Sequence, residues 1–476
     1  MTEKRFTTDG REIPTILGGR MLVPPFKNKA IEFIRLYPEE IRARELAAAG
    51  YNTFQIPSEY VFIDFLTDSG TTAMSDRQWA GMMMGDESYA GSKSFKKVEA
   101  AVRDVFGYKE VIPTHQGRGA EHICAKVLIP QKENTSGWWI PNNLYFTTSR
   151  FHQENAGAKW IDVSVSEAVD PVSTFKWKGN IDISKLEAVI LEKGAVNIPF
   201  VRIEASLNMA GGQPFSLANL AEVSAVCKKY GIFFLLDATR ISDNAYEIQQ
   251  KEDGYQNVFL GEIIKKICSY TDGCTMSSKK DHYVNIGGFF AVNNDAVAVA
   301  AKDMVVVFEG LDSYGGMAGY SMEALAQGIY ESTDAAIVGH YVAQSRYMGE
   351  EFLRLGVPVV APIGVHGVFL DAKRFVPHLP QSQFPAQSLA SAIYEKTGIR
   401  GMERGIVSGQ HGHEEYDGLE LVRLTLPRRV YELAHLTYVV EAIHEMYLRR
   451  DTIKGLKMVY EPEALRFFRA RFEPVE

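Results

Sequence analysis

Cysteine is scarce in this 476-residue chain: four residues, Cys124, Cys227, Cys268 and Cys274, with no CxxC spacing. That excludes a disulfide-stapled fold and a structural zinc site, and points to reduced thiols. Long apolar runs are missing as well. Segments such as Ala296–Ala301 stop well short of the ~20 residues a membrane span needs, and the opening Met-Thr-Glu-Lys-Arg-Phe has no apolar signal region. Neither charge sign dominates: 51 Lys+Arg against 59 Asp+Glu leave a formal −8, which argues against nucleic acid or an anionic membrane as partner. No repeat, low-complexity stretch, GxSxG or HExxH occurs. The expectation is a soluble, cytoplasmic chain, 46% hydrophobic, with two or three domains at ~100–200 residues each.

The clearest unit lies at 201–240. An apolar stretch ends at Asn208, the turn Ala210-Gly-Gly-Gln-Pro214 follows, and Ser216 caps a helix with Leu217, Leu220, Val223 and Cys227 on one face and Gly231 at its end. Ile232-Phe-Phe-Leu-Leu-Asp237 then reads as a strand buried on both faces, so the unit is a βαβ crossover in a parallel sheet. A helix with Phe95, Val98, Val102 and Val105, and apolar runs at Trp139–Phe146 and Gly273–Met276, extend the same α/β pattern. From about 334 the pattern changes to helices interleaved with alternating strands, Leu419–Leu426 being the clearest, which marks a second domain.

Ligands of open α/β sheets bind beyond the carboxyl ends of the strands. Four polar groups stand there: the Gln116-Gly-Arg-Gly119 turn, Asn208, Asp237-Ala-Thr-Arg240 and Ser277-Ser-Lys-Lys280. Each alone has a plain structural reading as a tight turn, a cap or a common Lys pair, and Asp237 suits a metal as well as a cationic ring nitrogen. Together they suit pyridoxal phosphate, which needs a lysine, a carboxylate against its ring nitrogen, and hydroxyls with backbone N–H groups for its phosphate. A second lysine beside the first lowers its pKa. The His411-Gly-His413-Glu-Glu415 stretch is not read as a metal site, having no third histidine nearby.

At these residues the sequence resembles the β-eliminating lyases of aromatic amino acids. The likeness is carried by Asp64-Phe-Leu-Thr-Asp-Ser-Gly70, Met82-Met-Met-Gly-Asp-Glu87, Pro113-Thr-His-Gln-Gly-Arg-Gly-Ala-Glu121, Asn208-Met-Ala-Gly-Gly-Gln-Pro214, Asp237-Ala-Thr-Arg240, Ser277-Ser-Lys-Lys280 and Tyr314-Gly-Gly316, and runs from about Tyr51 onward. It implies a type I pyridoxal-phosphate, aspartate-aminotransferase-like α/β fold. The large cofactor domain would span 75–333, and a smaller α+β domain would combine part of an N-terminal arm, 1–74, with 334–476. It also implies a homotetramer, a dimer of dimers, with active sites at subunit contacts.

By the same resemblance Lys280 would hold the cofactor, Asp237 would face its ring nitrogen, and Arg240 and Asn208 would contact its ring oxygen. Gln116, Gly117, Arg118, Ser277 and Lys279 would bind its phosphate, and Phe146 would stack on it. Arg423 would take the substrate carboxylate with Thr67 and Ser69 nearby. Met402, Phe467 and Phe468 would line the aromatic site, and Phe54 would reach it from a neighbouring subunit. Gly70, Glu87 and Asn285 would hold K⁺ or NH₄⁺.

The family has a phenol-expelling and an indole-expelling branch. Ser75-Asp-Arg-Gln-Trp-Ala-Gly81, Phe146-Thr-Thr148, Gly401-Met-Glu-Arg-Gly405 and Leu465-Arg-Phe-Phe468 resemble the first. Arg404 with Thr147 is the discriminating pair, because a cation beside a hydroxyl suits a phenolate-like oxygen. Tyr89, with Tyr314 close by, would protonate the ring carbon. The resemblance thus implies elimination of phenol from tyrosine, leaving pyruvate and ammonia; tryptophan or a substituted tyrosine such as DOPA is the alternative substrate. The chain departs from the branch at Gln55, Pro57 and Tyr320, and extra residues precede the shared region.

Overall fold

The computed structural model describes residues 5–131, 134–409 and 418–476; the His411–Glu415 stretch lies outside them. A seven-stranded sheet is built from Glu110–Thr114, Trp138–Asn142, Ala158–Asp162, Phe200–Glu204, Phe233–Asp237, Gly273–Ser277 and Gly288–Val292. Numbered in chain order, the strands lie 1-7-6-5-4-2-3 across the sheet, and the last runs antiparallel to both its neighbours. Successive side chains alternate faces, yet both faces are apolar. Val201, Ile203, Phe234 and Leu236 join one core, while Phe200 and Leu235 join the core on the other side.

The 201–240 unit forms as its signals dictate. Ser216 Oγ accepts the Asn219 N–H at 3.1 Å, the helix runs Leu217–Tyr230, and Gly231 ends it at φ +66°. Two expected strands are shorter. The Trp139–Phe146 run leaves the sheet after Asn142, where Asn143 Nδ2 donates to the Gly179 carbonyl, so Phe146 becomes the residue that enters the helix Thr147–Asn155. The 201–208 stretch stops pairing at Glu204 and turns back through a Leu207–Gln213 bridge.

A second core gathers around the antiparallel strands Gly367–Asp371, Leu421–Thr425 and Met402–Arg404, in that order with the middle one shared, and the helices Pro385–Thr397 and Leu433–Leu448. Ile63 and Phe65 contribute to it from the N-terminal side, where Ile63–Asp64 pairs with Ile399–Arg400. The expected alternation of Leu419–Leu426 is a difference: all of Leu421–Thr425 is buried, because the polar face of the strand points into the cleft between the two cores. The helix Ala335–Arg354 spans both, with Val338, Tyr341 and Val342 in the first core and Met348 and Phe352 in the second.

Between the cores lies a buried charge network. Arg428, just past Leu421–Thr425, donates to Asp68 at 3.1 Å, to both oxygens of Asp243 at 3.0 and 2.9 Å and to Asp281 at 2.9 Å. Tyr341 Oη also donates to Asp243. Removing one partner of such a set strands the others as buried charges, at a cost of about 3–5 kcal/mol. Arg428→Met should therefore lower stability to chemical denaturation by that amount; a loss under about 1 kcal/mol would show that the network does not hold the cores together.

Candidate active site

The cleft is a cavity of about 250 Å³ at the carboxyl ends of the sheet strands. Lys280 enters it from the loop after Gly273–Ser277, and its Nζ donates to Ser277 Oγ at 2.7 Å. Burial, reinforced by the Arg240 guanidinium, pulls the amine down to about 7, so a large share is neutral at neutral pH. Asp237 ends its strand with one oxygen accepting the Thr239 N–H at 3.0 Å and the other bound by Arg202. Arg240 grips Asp68 through Nε and Nη2 at 3.0 and 2.8 Å.

Beside Ser277 the helix Gly117–Leu128 begins, and its N-terminal N–H groups and dipole favour an anion. The approach is close: a Cβ on Gly117 would sit 2.4 Å from Ser277 Cβ. Gln116, Arg118, Ser277 and Lys279 line the same end, with Lys279 Nζ 3.5 Å from Gln116 Oε1.

The second core supplies the other wall. Arg423, 2% exposed, donates to Asn208 Oδ1 at 3.1 Å and to the Leu66 carbonyl at 2.9 Å, and touches Met402 Sδ. Arg404 lies over the Phe146 and Phe467 rings at 5.4 and 5.5 Å, and its Nη1 is 3.4 Å from Thr147 Oγ1. Burial pulls Arg404 down to about 10, still charged at neutral pH, and burial with Arg404 alongside lowers Arg423 strongly. The Nε atoms of both arginines are buried and find no partner among the described residues. Such a surplus of buried positive charge is costly until an anion enters.

The structure thus brings together Thr67, Ser69, Gln116, Gly117, Arg118, Phe146, Asp237, Arg240, Ser277, Lys279, Lys280, Met402, Arg404, Arg423, Phe467 and Phe468 in the cavity wall. Thr147 lies buried beside Arg404, and Asn208 stands one step back, holding Arg423. Phe54, expected from a neighbouring subunit, lines the cavity of its own chain, at 5.4 and 4.9 Å from the Phe467 and Phe468 rings. It is fixed there because Asn52 Nδ2 donates to the Phe467 and Ala470 carbonyls and Gln55 Nε2 to that of Phe468.

Tyr89 is not in this cavity. It is 76% exposed and packs on Tyr314, ring centroids 5.7 Å apart, and a hydrogen bond with Tyr314 raises its hydroxyl pKa. Gly70 and Asn285 meet, Asn285 Nδ2 donating to the Gly70 carbonyl at 2.9 Å, whereas Glu87 is exposed. Pro57 precedes the short 3₁₀ turn Ser58–Tyr60 and Tyr320 is half exposed. Asp68, Arg202, Glu204 and Arg428 were not singled out from sequence; charged residues inside otherwise apolar strands were the available signal for Arg202 and Glu204.

Sheet order, cleft position and the lysine–aspartate pair at the strand ends define the class of aspartate-aminotransferase-fold enzymes. The fold is shared with an aspartate aminotransferase from Thermotoga maritima (TM-score 0.59, 13% identity, 86% of this chain and 97% of that one) and a serine palmitoyltransferase from S. paucimobilis solved with bound PLP (TM-score 0.59, 14% identity, 83% and 89%). Within that class the chain belongs to the β-eliminating lyase family, whose model matches residues 64–442. It is 54% identical over 455 residues to the tyrosine phenol-lyase of Symbiobacterium thermophilum (95% of this chain, 98% of that one) and 51% identical over 458 residues to that of Nostoc punctiforme (95% and 97%).

An amine of pKa about 7 should capture an aldehyde cofactor with a rate that rises with pH and levels off above about 7. Stopped-flow uptake of pyridoxal phosphate by the cofactor-free protein measures this; a rate still climbing towards the ordinary lysine value of about 10.4 would contradict the assignment of Lys280.

Proposed function

We propose that this β-eliminating lyase converts L-tyrosine to phenol, pyruvate and ammonia. The observation that carries the reading is Arg404, in the wall of the Lys280 cavity over the Phe146 and Phe467 rings, with the buried Thr147 hydroxyl 3.4 Å from its Nη1. The chemistry of the donor set fits pyridoxal phosphate: a near-neutral lysine, a carboxylate at the sheet end, a glycine-lined helix N-terminus for a phosphate, and arginines with unmet N–H groups. When bound, that cofactor withdraws electrons from the substrate Cα.

The chain's own groups then divide the work. Lys280 Nζ and Asp237 hold the cofactor, with Arg240 and Asn208 at its ring oxygen, Gln116, Gly117, Arg118, Ser277 and Lys279 at its phosphate, and Phe146 against its face. Arg423 binds the substrate carboxylate beside Thr67 and Ser69, which orients the Cα–H bond. Lys280 Nζ, displaced into its neutral form, accepts the Cα proton. Arg404 and Thr147 hold the ring oxygen and stabilise negative charge on it as the ring leaves. Phe54, Met402, Phe467 and Phe468 exclude water.

Tyr89, backed by Tyr314, protonates the ring carbon, and its exposed position on this chain fits donation to the cavity of a neighbouring copy. Exposed Trp79, Met83, Met84 and Tyr89 lie together in sequence, an apolar surface suited to burial in a homotetramer. A K⁺ or NH₄⁺ ion at the Gly70 carbonyl and Asn285, with Glu87, suits hard oxygen donors. Four free, buried cysteines suit a reducing cytoplasm.

Purified protein supplied with pyridoxal phosphate and K⁺ should release pyruvate from tyrosine and not from tryptophan; the reverse preference would refute the reading. Arg404→Val should cut kcat/KM for tyrosine by about 10²–10³-fold while sparing β-substituted alanines with good leaving groups. Equal loss on both would make Arg404 structural.

A further inference from the structure

Resting on the pyridoxal-phosphate reading of the cavity, we propose that Glu204 is a positioning residue that takes up or releases a proton beside Asp237, and so sets how much negative charge accompanies the carboxylate facing the cofactor's ring nitrogen. Glu204 and Asp237 are register partners on adjacent parallel strands. Both line the cavity and both are buried. Arg202, two residues before Glu204 and therefore on the same face of the strand, serves both carboxylates from one nitrogen. Its Nη2 binds Asp237 Oδ2 and lies 3.6 Å from Glu204 Oε2. The same nitrogen donates to Ser149 Oγ at 3.0 Å, and that hydroxyl donates to Glu121.

Three carboxyl groups thus converge on one guanidinium in a water-poor wall, and they are unequally served. Asp237 receives a backbone N–H and the Arg202 hydrogen bond, and Glu121 receives two hydroxyls. Glu204 receives one backbone N–H, from Asn208 at 3.2 Å, and its Oε2 has no hydrogen-bond partner among the described residues. Burial and the Asp237 charge raise Glu121 as well, but its two hydroxyl donors oppose the rise, which leaves Glu204 the carboxyl least compensated for a negative charge. The cations Arg240, Arg404 and Arg423 also act on Glu204 and oppose protonation. Burial outweighs them, and the group is pushed up to about 7.

The sign of the effect follows. Below about pH 7 Glu204 is neutral and Asp237 alone faces the ring nitrogen. Above it, a second negative charge one strand away strengthens retention of the ring proton, and with it the electron-withdrawing power of the cofactor.

The test is NMR of the holoenzyme loaded with cofactor isotopically labelled at the ring nitrogen, titrated without substrate. The wild type should show a step in the ring-nitrogen shift centred near pH 7, Glu204→Gln should lose that step, and Glu204→Asp, which keeps a carboxyl, should show one again. A step of equal size in Glu204→Gln, no step in the wild type, or a flat Glu204→Asp would overturn the proposal while leaving the cofactor reading intact. A wild type that takes up no cofactor would overturn both.

Discussion

One guanidinium, that of Arg428, fixes the relation between the two halves of the site. Its three carboxylate partners come from the N-terminal segment, from the helix after the Asp237 strand, and from the residue that follows Lys280. Asp68 passes the constraint on, since it holds Arg240 with its other contacts. Any shift of the second core against the sheet would leave a buried charge without its partner. The positions of Lys280, Arg240 and Ser69 are thus set from a point that never touches the cavity.

The cavity itself is an electrostatic inversion of the molecule. The chain carries a net −8, yet Arg118, Arg240, Lys279, Lys280, Arg404 and Arg423 face one small volume. Two of these arginines keep an Nε unpaired among the described residues, so the pocket favours anions, in keeping with the proposed phosphate at the helix N-terminus and carboxylate at Arg423. Burial, with the Arg240 cation alongside, makes a neutral Lys280 cheaper than a charged one, as its proposed role requires.

The sequence was most legible where local rules act. The Ser216 cap, the Gly231 terminus and the Phe233–Asp237 strand follow from short-range chemistry, and motif likeness brought the cavity residues together although they are spread from Thr67 to Phe468. Long-range placement was less legible. Nothing local says that the Arg423 strand is buried on both faces, since its alternation reads as one wet side until the cleft is known. Phe54 likewise has no local mark of its docking on Phe467 and Phe468, because the contacts that hold it run between Asn52, Gln55 and carbonyls more than 400 positions away. Arg202 and Glu204 were visible as charges in an apolar run, but their meaning depends on the register with Asp237, which only the paired sheet supplies.

The 20-residue helix Ala335–Arg354 is rooted in both cores and acts mechanically as a beam joining them. A rotation that widens the cleft has to flex this beam or slide Tyr341 and Val342 at one end, or Met348 and Phe352 at the other, out of close packing. Part of the stiffness that resists opening, beside that of the Arg428 network, therefore resides in side-chain packing remote from the reacting groups. Substitutions there would alter how fast ligands enter and leave without changing a single charge that a bound ligand meets.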